Sequence, residues 1–561
     1  MNQLYFGDNL QVLRDHLAPE SVDLIYLDPP FNSKRDYNLL FKAPKPVAAA
    51  DHRRGGRSAD GETAVIDHRY SGAQITAFED SWHWGPPAER EFDEIVHGKN
   101  TEVSELMQAL LRFLGRNDMM AYLTMMANRL LELHRVLKPT GALYLHCDPT
   151  ASHYLKIVLD GVFGKENFRN DIIWKRASAH NDPNRCGNIH DNIFFYSKTD
   201  RYLWNPVYTP YSRDYIDAEF TQLPSGRFYK AENMLDPRNS MAEYDFMGTR
   251  ARWRTNLEGM MELWNAPQTE VPSSHGRIKL GKNGKPTKRC RIFFLDDLPG
   301  VPLQTIWDDV ISLRGGSEER LGYPTQKPLA LLERIISASS NKGDVVLDPF
   351  CGCGTAVHAA HKLKRQWIGI DITHLAISLI EKRLRDAFGK RCKYEVHGTP
   401  KDFGAARNLA TRDKYQFQYW AVSLVNAQPS QGKKKGADGG IDGLKFFHDV
   451  DTAGPRKIVV SVKGGALKAD DVRALMAVRE REAAEIALLL SLETPTKGMI
   501  ADATSAGFYT SAAGQQFPRV QLLTIEGLLT GAQRAEHPDH QPDLNFKRAK
   551  AEADAAQADL I

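Results

Sequence analysis

Asp28-Pro29-Pro30-Phe31 follows the apolar run Val22-Asp23-Leu24-Ile25-Tyr26-Leu27 and combines a carboxylate, two rigid residues and an aromatic ring. Two prolines alone would only terminate a strand. An exocyclic amine conjugated into a heteroaromatic ring, however, frees its lone pair when acceptors face its N–H protons. The Asp28 carboxylate and the Pro29 carbonyl, held by proline rigidity, are two such acceptors, and Phe31 offers a face on which the ring can stack. A second chemical segment, Asp348-Pro349-Phe350-Cys351-Gly352-Cys353-Gly354-Thr355, follows another short apolar run. Glycines between a strand and a helix let the backbone approach a ligand, and an acid ending the next strand, here Asp371, suits ribose hydroxyls. The loop lacks the G-x-G-x-x-G of dinucleotide sites.

Such residues need strands that end beside one another. A helix is predicted over 9–17, and the apolar run 22–27 reads as a strand buried on both faces. Leu123, Met126, Leu130, Leu133 and Leu137 recur at helical spacing, predicting a helix over 122–138 that Pro139-Thr140-Gly141 ends, with a strand over 142–146. Further strands are predicted over 172–174 and 192–196. Helix 327–339, strand 345–347, helix 356–363 and strand 367–370 then form a βαβ unit around the glycine loop. The alternation defines an α/β protein with a doubly wound, Rossmann-like sheet. Residues 45–70, with Arg53, Arg54 and Arg57, are expected to form a loop, and 198–294, rich in aromatic and basic residues, no regular layer.

The loop, as D-P-F-x-G-x-G-T, resembles the corresponding motif of DNA amino-methyltransferases of the N4-cytosine/N6-adenine family. The resemblance implies S-adenosylmethionine as cofactor, with Asp348, Pro349, Phe350, Gly352, Gly354 and Thr355 around its methionine part and Asp371 on its ribose. Gly7-Asp8-Asn9-Leu10 and Tyr323-Pro324-Thr325-Gln326-Lys327-Pro328 resemble further family segments, which adds Asp8, Thr325, Lys327 and Pro328 to the expected cofactor contacts. Cys351 and Cys353 stand where small residues are common in the family; as a C-x-C pair without partners nearby they make a poor zinc site. Asp28, Pro29, Pro30 and Phe31 match the family's catalytic tetrapeptide. Aspartate at its head favours adenine N6, with cytosine N4 as the alternative, on a base flipped out of double-stranded DNA. The tetrapeptide precedes the loop by about 320 positions, the order of the permuted beta class that includes type III modification subunits. Phe78-Glu79-Asp80-Ser81-Trp82 and Thr305-Ile306-Trp307-Asp308-Asp309 also match. The stretch 198–294 falls where that family places target recognition, and its basic residues suit phosphates and base edges.

Gly436-Ala437-Asp438-Gly439-Gly440-Ile441-Asp442-Gly443, followed by Val459-Val460-Ser461-Val462-Lys463, resembles the Mrr-like branch of PD-(D/E)xK nucleases, a second, smaller α/β fold of restriction-endonuclease type. The resemblance implies a magnesium site at Asp442, with Lys463 near the attacking water. Ser461 replaces the expected acid, with Glu480, Glu482 and Glu485 as candidate substitutes. Cleavage therefore ranks below a DNA-binding or regulatory role.

The expected organisation is a catalytic half over 1–197, a target-recognition insertion over 198–300, a cofactor-binding half over 301–400, a nuclease-like domain over 413–532 and a frayed tail over 533–561. With 42% hydrophobic and 25% charged residues, and no apolar run of membrane-spanning length, the composition is that of an ordinary globular protein. Six scattered cysteines fit reduced thiols, and the first residues lack a signal peptide's pattern, so a cytoplasmic location is expected. A net charge of +3 leaves nucleic-acid affinity to local patches. The expected partners are DNA and either a restriction subunit or a second copy of the chain.

Overall fold

A computed structural model describes residues 1–30, 82–179, 184, 186–238, 240–314, 317–323, 325–430, 440–449, 455–538 and 549–552, with the backbone alone of 36–40 and 74–79. Phe31, Pro324, residues 45–70 and the glycine run 436–439 lie outside them.

Strand β1 (Asn2–Phe6) runs into Gly7 and then into α1 (Asn9–His16), whose first turn is capped by the Asp8 side chain accepting from the Gln11 amide at 3.2 Å. The apolar run is β2 (Val22–Leu27), buried along nearly its whole length. Helix α2 (Asp118–Val136), capped by Asn117, buries Met120, Leu123, Met126, Leu130 and Leu133 on its sheet-facing side. It ends before the predicted 138. Strand β3 (Leu137–Cys147) starts at once, because the residue preceding a proline, here Lys138, is driven from helical into extended backbone. Strands β4 (Phe168–Lys175) and β5 (His190–Ser197) follow, and after the insertion come β6 (Ile306–Trp307), α3 (Leu329–Ser339), β7 (Val345–Asp348), α4 (Thr355–Lys362), β8 (Gln366–Asp371), α5 (His374–Phe388) and β9 (Tyr394–His397).

These nine strands form one sheet in the order β6-β4-β5-β3-β2-β7-β8-β1-β9. Only β5 runs against the others, pairing antiparallel with β3 and β4. In the middle, β2 lies parallel between β3 and β7, with Leu24 opposite Val346 and Ile25 opposite Leu347. The β2–β7 contact is pinned at the strands' amino ends, where Asp23 accepts from the Val345 amide at 2.9 Å and binds the Lys138 ammonium at 2.8 Å.

Residues 206–304 form a compact unit of their own, slightly offset from the expected 198–300. It is more regular than the sequence suggested. The segments Ser274–His275, Ile278–Leu280, Pro286–Phe294, Phe228–Asn233 and Thr221–Gln222 make a five-stranded antiparallel sheet in that order. The strand Pro286–Phe294 turns Cys290, Ile292 and Phe294 inward while Arg289 and Arg291 point out, so charges interleave with the apolar positions and mask them. Phe246, Trp253, Met260 and Ile278 form part of a core inside this unit.

The other compact unit also contains the C-terminal region. Helix α6 (Phe403–Arg412), in the stretch between the expected cofactor-binding half and the expected nuclease-like domain, buries Ala406, Leu409 and Ala410 in the core of that region, beside α7 (Lys414–Leu424). Strands β10 (Gln428–Pro429), β11 (Gly443–Phe447), β12 (Arg456–Lys463), β13 (Ile486–Ser491) and β14 (Val520–Thr524) make a second sheet in chain order, with α8 (Ala469–Arg481) linking β12 to its parallel neighbour β13. Neighbouring residues of β12 alternate between two cores: Ile458 and Val460 join one, Val459 the other. The start of the expected frayed tail is anchored, since Gln533 accepts from the Thr524 amide at 2.7 Å and the Gln521 side chain donates to the Glu536 carbonyl at 2.7 Å. No described helix is long and apolar enough to cross a membrane.

Because 206–304 has its own core, Trp253→Ala, at a fully buried position, should cost about 3–5 kcal/mol. Hydrogen exchange is expected to show lost protection within 206–304 and unchanged protection in the nine-stranded sheet.

Candidate active site

Four adjacent parallel strands, β2, β7, β8 and β1, end at Leu27, Asp348, Asp371 and Phe6, so the residues that come after them share one edge of the sheet. A cavity of about 920 Å³ opens there, lined among others by Asp8, Asp28, Tyr323, Lys327, Asp348 and Asp371. The tetrapeptide and the glycine loop, distant in sequence, therefore face one space. Pro29, Pro30, Pro349, Phe350, Gly352, Thr355 and Thr325 also line it. Gly354 and Pro328 are not among its lining residues; Pro328 caps α3 and Gly354 caps α4.

Glycine is required in the loop. Gly352 and Gly354 have φ of +49° and +75°, the left-handed region that side chains disfavour. A Cβ on Gly354 would lie 2.8 Å from Ile380, and one on Gly352 3.1 Å from the Tyr323 ring. The Gly352 amide donates to Asp371 Oδ2 at 2.9 Å, while the amide and hydroxyl of Thr373 donate to Asp371 Oδ1 at 2.9 and 2.8 Å. Burial nevertheless dominates at Asp371, and its carboxyl is pushed up to about 6. Cys351 and Cys353 are buried, and burial raises both thiols, which keeps them neutral in a tight turn.

Beneath the loop sits Arg383 of α5, 3% exposed. Its guanidinium donates to the Cys353 carbonyl at 3.3 Å, Thr355 Oγ1 at 3.0 Å and His358 Nδ1 at 3.2 Å, fixing the end of the loop to the first turns of α4. Sequence reasoning missed it. The signal was an arginine on the apolar stripe formed by Leu379, Ile380, Leu384 and Ala387, where a charge can be buried only if its fork is satisfied. Arg129 was missed as well. It donates to Asn9 Oδ1 at 2.6 Å and Asp8 Oδ2 at 2.9 Å, and Asn9 in turn donates to the Pro349 carbonyl at 2.9 Å, tying the β1 turn to the β7 loop.

At the tetrapeptide, Lys327 forms an ion pair with Asp28 Oδ2. Asp28 Oδ1 is buried and has no hydrogen-bond partner among the described residues. Burial, with Asp28 and Asp371 close by, pushes the Asp348 carboxyl well above the usual carboxylate range. Behind Asp28 runs a buried relay: the Tyr26 hydroxyl and His146 Nδ1 lie 3.0 Å apart, and His146 Nε2 lies 3.1 Å from Asp191 Oδ2. Asp191, in spite of its burial, is held below the usual range by His146.

The C-terminal candidates assemble differently from expectation. Asp442 Oδ2 accepts from the Val462 amide at 2.6 Å and the Ser461 hydroxyl at 3.2 Å, while Gln418 of α7 donates to Oδ1. Lys463 is paired with Asp471 at 3.1 Å. Glu482 and Glu485 bind Lys457 and Arg456, at the amino end of β12, and Lys457 precedes Ser461 by about 13 Å of strand, so neither acid replaces the missing ligand. Glu480 pairs with Arg479. Among the described residues no group of three or more His, Cys, Asp or Glu side chains is placed to hold a metal. Asp438, in the glycine run before Asp442, lies outside the described residues.

The doubly wound sheet thus brings a glycine loop, strand-end carboxylates and a proline-flanked aspartate to one cavity at the ends of its parallel strands, the place where sheets of this type bind ligands. The chain belongs to the N6/N4 DNA methylase family, whose profile matches residues 22–382. It is similar to the type II methyltransferase M.EcaI of Enterobacter cloacae, 31% identical over 266 residues that cover 47% of this chain and 57% of that one. The Mod subunit of the type III restriction-modification enzyme StyLTI of Salmonella typhimurium is 26% identical over 381 residues, covering 65% and 50%. The chain thus spans about half the length of the curated relatives it matches. Among solved structures, TTHA0409 of Thermus thermophilus complexed with S-adenosyl-L-methionine aligns with 15% identity and a TM-score of 0.33, covering 71% of this chain and all of that one.

Because Arg383 satisfies three groups at once, Arg383→Ala should destabilise the chain by about 3 kcal/mol in chemical denaturation. Arg383→Lys should recover less than half of that loss, since an ammonium cannot reproduce the fork.

Proposed function

We propose that this chain transfers a methyl group from S-adenosylmethionine to an exocyclic amine of a base in DNA, adenine N6 in the favoured form, within a restriction-modification system in the cytoplasm. The observation that carries the reading is the buried Asp28 Oδ1, without a hydrogen-bond partner among the described residues, in the cavity that the glycine loop and Asp371 also line. Family membership supports it.

The cavity's volume is at the upper end of the range of ligand sites, which leaves space for a cofactor and a flipped base side by side. Asp371 fits the ribose hydroxyls, and the turn at Gly352 brings backbone against the amino-acid end of the ligand. S-adenosylmethionine supplies an electrophilic methyl group on its sulfonium sulfur. The protein's part is to make the amine nucleophilic. Asp28 Oδ1 accepts one N–H of the target amine and the Pro29 carbonyl the other, drawing the lone pair out of conjugation and toward the methyl group. Lys327 orients Asp28 through Oδ2, leaving Oδ1 for the substrate. Burial disfavours a second negative charge at Asp348 beside Asp28. Phe31 stacks on the base in this reading.

The unit 206–304 serves as the recognition surface, with Lys282, Lys288, Arg289 and Arg291 exposed for phosphates and base edges. The C-terminal sheet enters as a DNA-binding or regulatory module and not as a magnesium nuclease, since both Asp442 oxygens already accept from protein donors. A separate restriction subunit would then supply cleavage.

In a labelled-cofactor assay on DNA, Asp28→Ala should lower methyl transfer at least about 100-fold while cofactor affinity stays within about threefold of wild type. Full retained transfer would remove Asp28 from the mechanism. The raised Asp371 carboxyl gives a pH signature: the ionised form accepts from the ribose, so cofactor affinity should be level above pH 7 and fall about tenfold per pH unit below about 6. Asp371→Asn should bind weakly with no such slope, measured by calorimetry across pH 4.5–8.

A further inference from the structure

One wall of the active-site cavity comes from outside the nine-stranded sheet. Arg412, at the end of α6, and Asp413, Tyr415, Gln416 and Tyr419, at and beyond the start of α7, line it together with Asp371, Ile372 and Thr373. The contact is specific: the Gln416 side chain accepts from the His374 amide at 3.2 Å, just past the ribose-site strand end. Arg412 is near enough to His374 to add to the burial that lowers the imidazole. Asp413 caps α7, accepting from the Tyr415 and Gln416 amides at 3.0 Å each, and so fixes the helix where it meets the cavity.

Tyr415 and Tyr419 are one turn apart and so project from the same side of α7. Tyr415 is 52% exposed, and Ile372, directly after Asp371, is 58% exposed. An aliphatic and an aromatic side chain left uncovered in one cavity match a flat ring system that would bury both. A purine one glycosidic bond from a ribose held at Asp371 lies within reach of Ile372. Burial raises Tyr419, with Tyr415 and Asp413 adding to it, so that side chain meets a ligand as a neutral phenol.

We propose that α7 of the C-terminal region completes the cofactor site, with Tyr415 and Tyr419 covering the adenine ring together with Ile372. The proposal rests on the reading of this cavity as the S-adenosylmethionine site. The C-terminal region is thereby a structural part of the methyl-donor pocket.

The test is calorimetric binding of S-adenosylhomocysteine to the full chain, comparing wild type, Tyr415→Ala/Tyr419→Ala, Tyr415→Phe/Tyr419→Phe and Asp371→Asn. The alanine pair should weaken binding about ten- to hundredfold, in line with the loss of base stacking, and the phenylalanine pair should stay within about threefold of wild type. Tyr415→Ala alone, at a half-exposed position, should weaken binding about fivefold with an unchanged melting temperature; this single variant decides the matter if the double one does not fold. Wild-type affinity in the alanine variants, with binding lost in Asp371→Asn, would overturn the role of α7 and leave the cofactor site standing. A folded wild-type chain that fails to bind S-adenosylhomocysteine would overturn both.

Discussion

The parallel contact between β2 and β7 holds the site together. Leu24 faces Val346 and Ile25 faces Leu347, and Asp23 clamps the Val345 amide across a sequence separation of 322 residues. Since both strands point the same way and stop at the same edge, the segments beyond them must meet: Asp28-Pro29-Pro30 after β2, Pro349-Phe350 and the glycine loop after Asp348. A shift of this register by one residue would exchange the buried faces of both strands. Strands buried on both sides are costly to misalign, so the site's geometry is inherited from core packing.

That closeness carries an electrostatic problem. Asp28, Asp348 and Asp371 line one cavity, where like charges destabilise one another. The structure resolves it unequally. Asp28 receives Lys327, Asp371 receives three donors from Gly352 and Thr373, and Asp348, which accepts from the Phe350 amide at 3.1 Å, is pushed well above the usual carboxylate range by burial. The same residue type thus meets three different sets of partners within one cavity. Arg383 and Arg129 extend this arrangement outward, each a buried guanidinium bonding segments that are distant in sequence.

The middle strands of the nine-stranded sheet were legible because their signals are local: apolar runs ending in Asp-Pro, helical spacing from Leu123 to Leu133 in the helix beside them, and a strand-glycine-helix turn at Asp348, whereas β1, β6 and β9 went unread. The illegible parts depended on pairing at a distance. The short strands of 206–304 alternate charged and apolar residues and look irregular until Pro286–Phe294 is set against Phe228–Asn233. Helix α6 reads as a polar junction because only Ala406, Leu409 and Ala410 face a core. Asp442 and Lys463 lie at nuclease-like spacing, but the identities of their partners, Gln418, the Val462 amide and Asp471, are tertiary facts. The glycine run beside Asp442 and the stacking residue Phe31 lie outside the described residues.

The C-terminal region thus bears on the cavity through α7, while the same helix sends Gln418 to Asp442. The central proposal is that Asp28 activates a base amine in DNA beside a bound methyl donor. Methylation-sensitive long-read sequencing of DNA from a host carrying the gene, a host carrying its Asp28→Ala form and a host without it reads this most directly. The account predicts a methylated exocyclic amine, on adenine, at one recurring sequence in the first host alone. An unmodified genome in the first host, or an equal mark in the second, would contradict it.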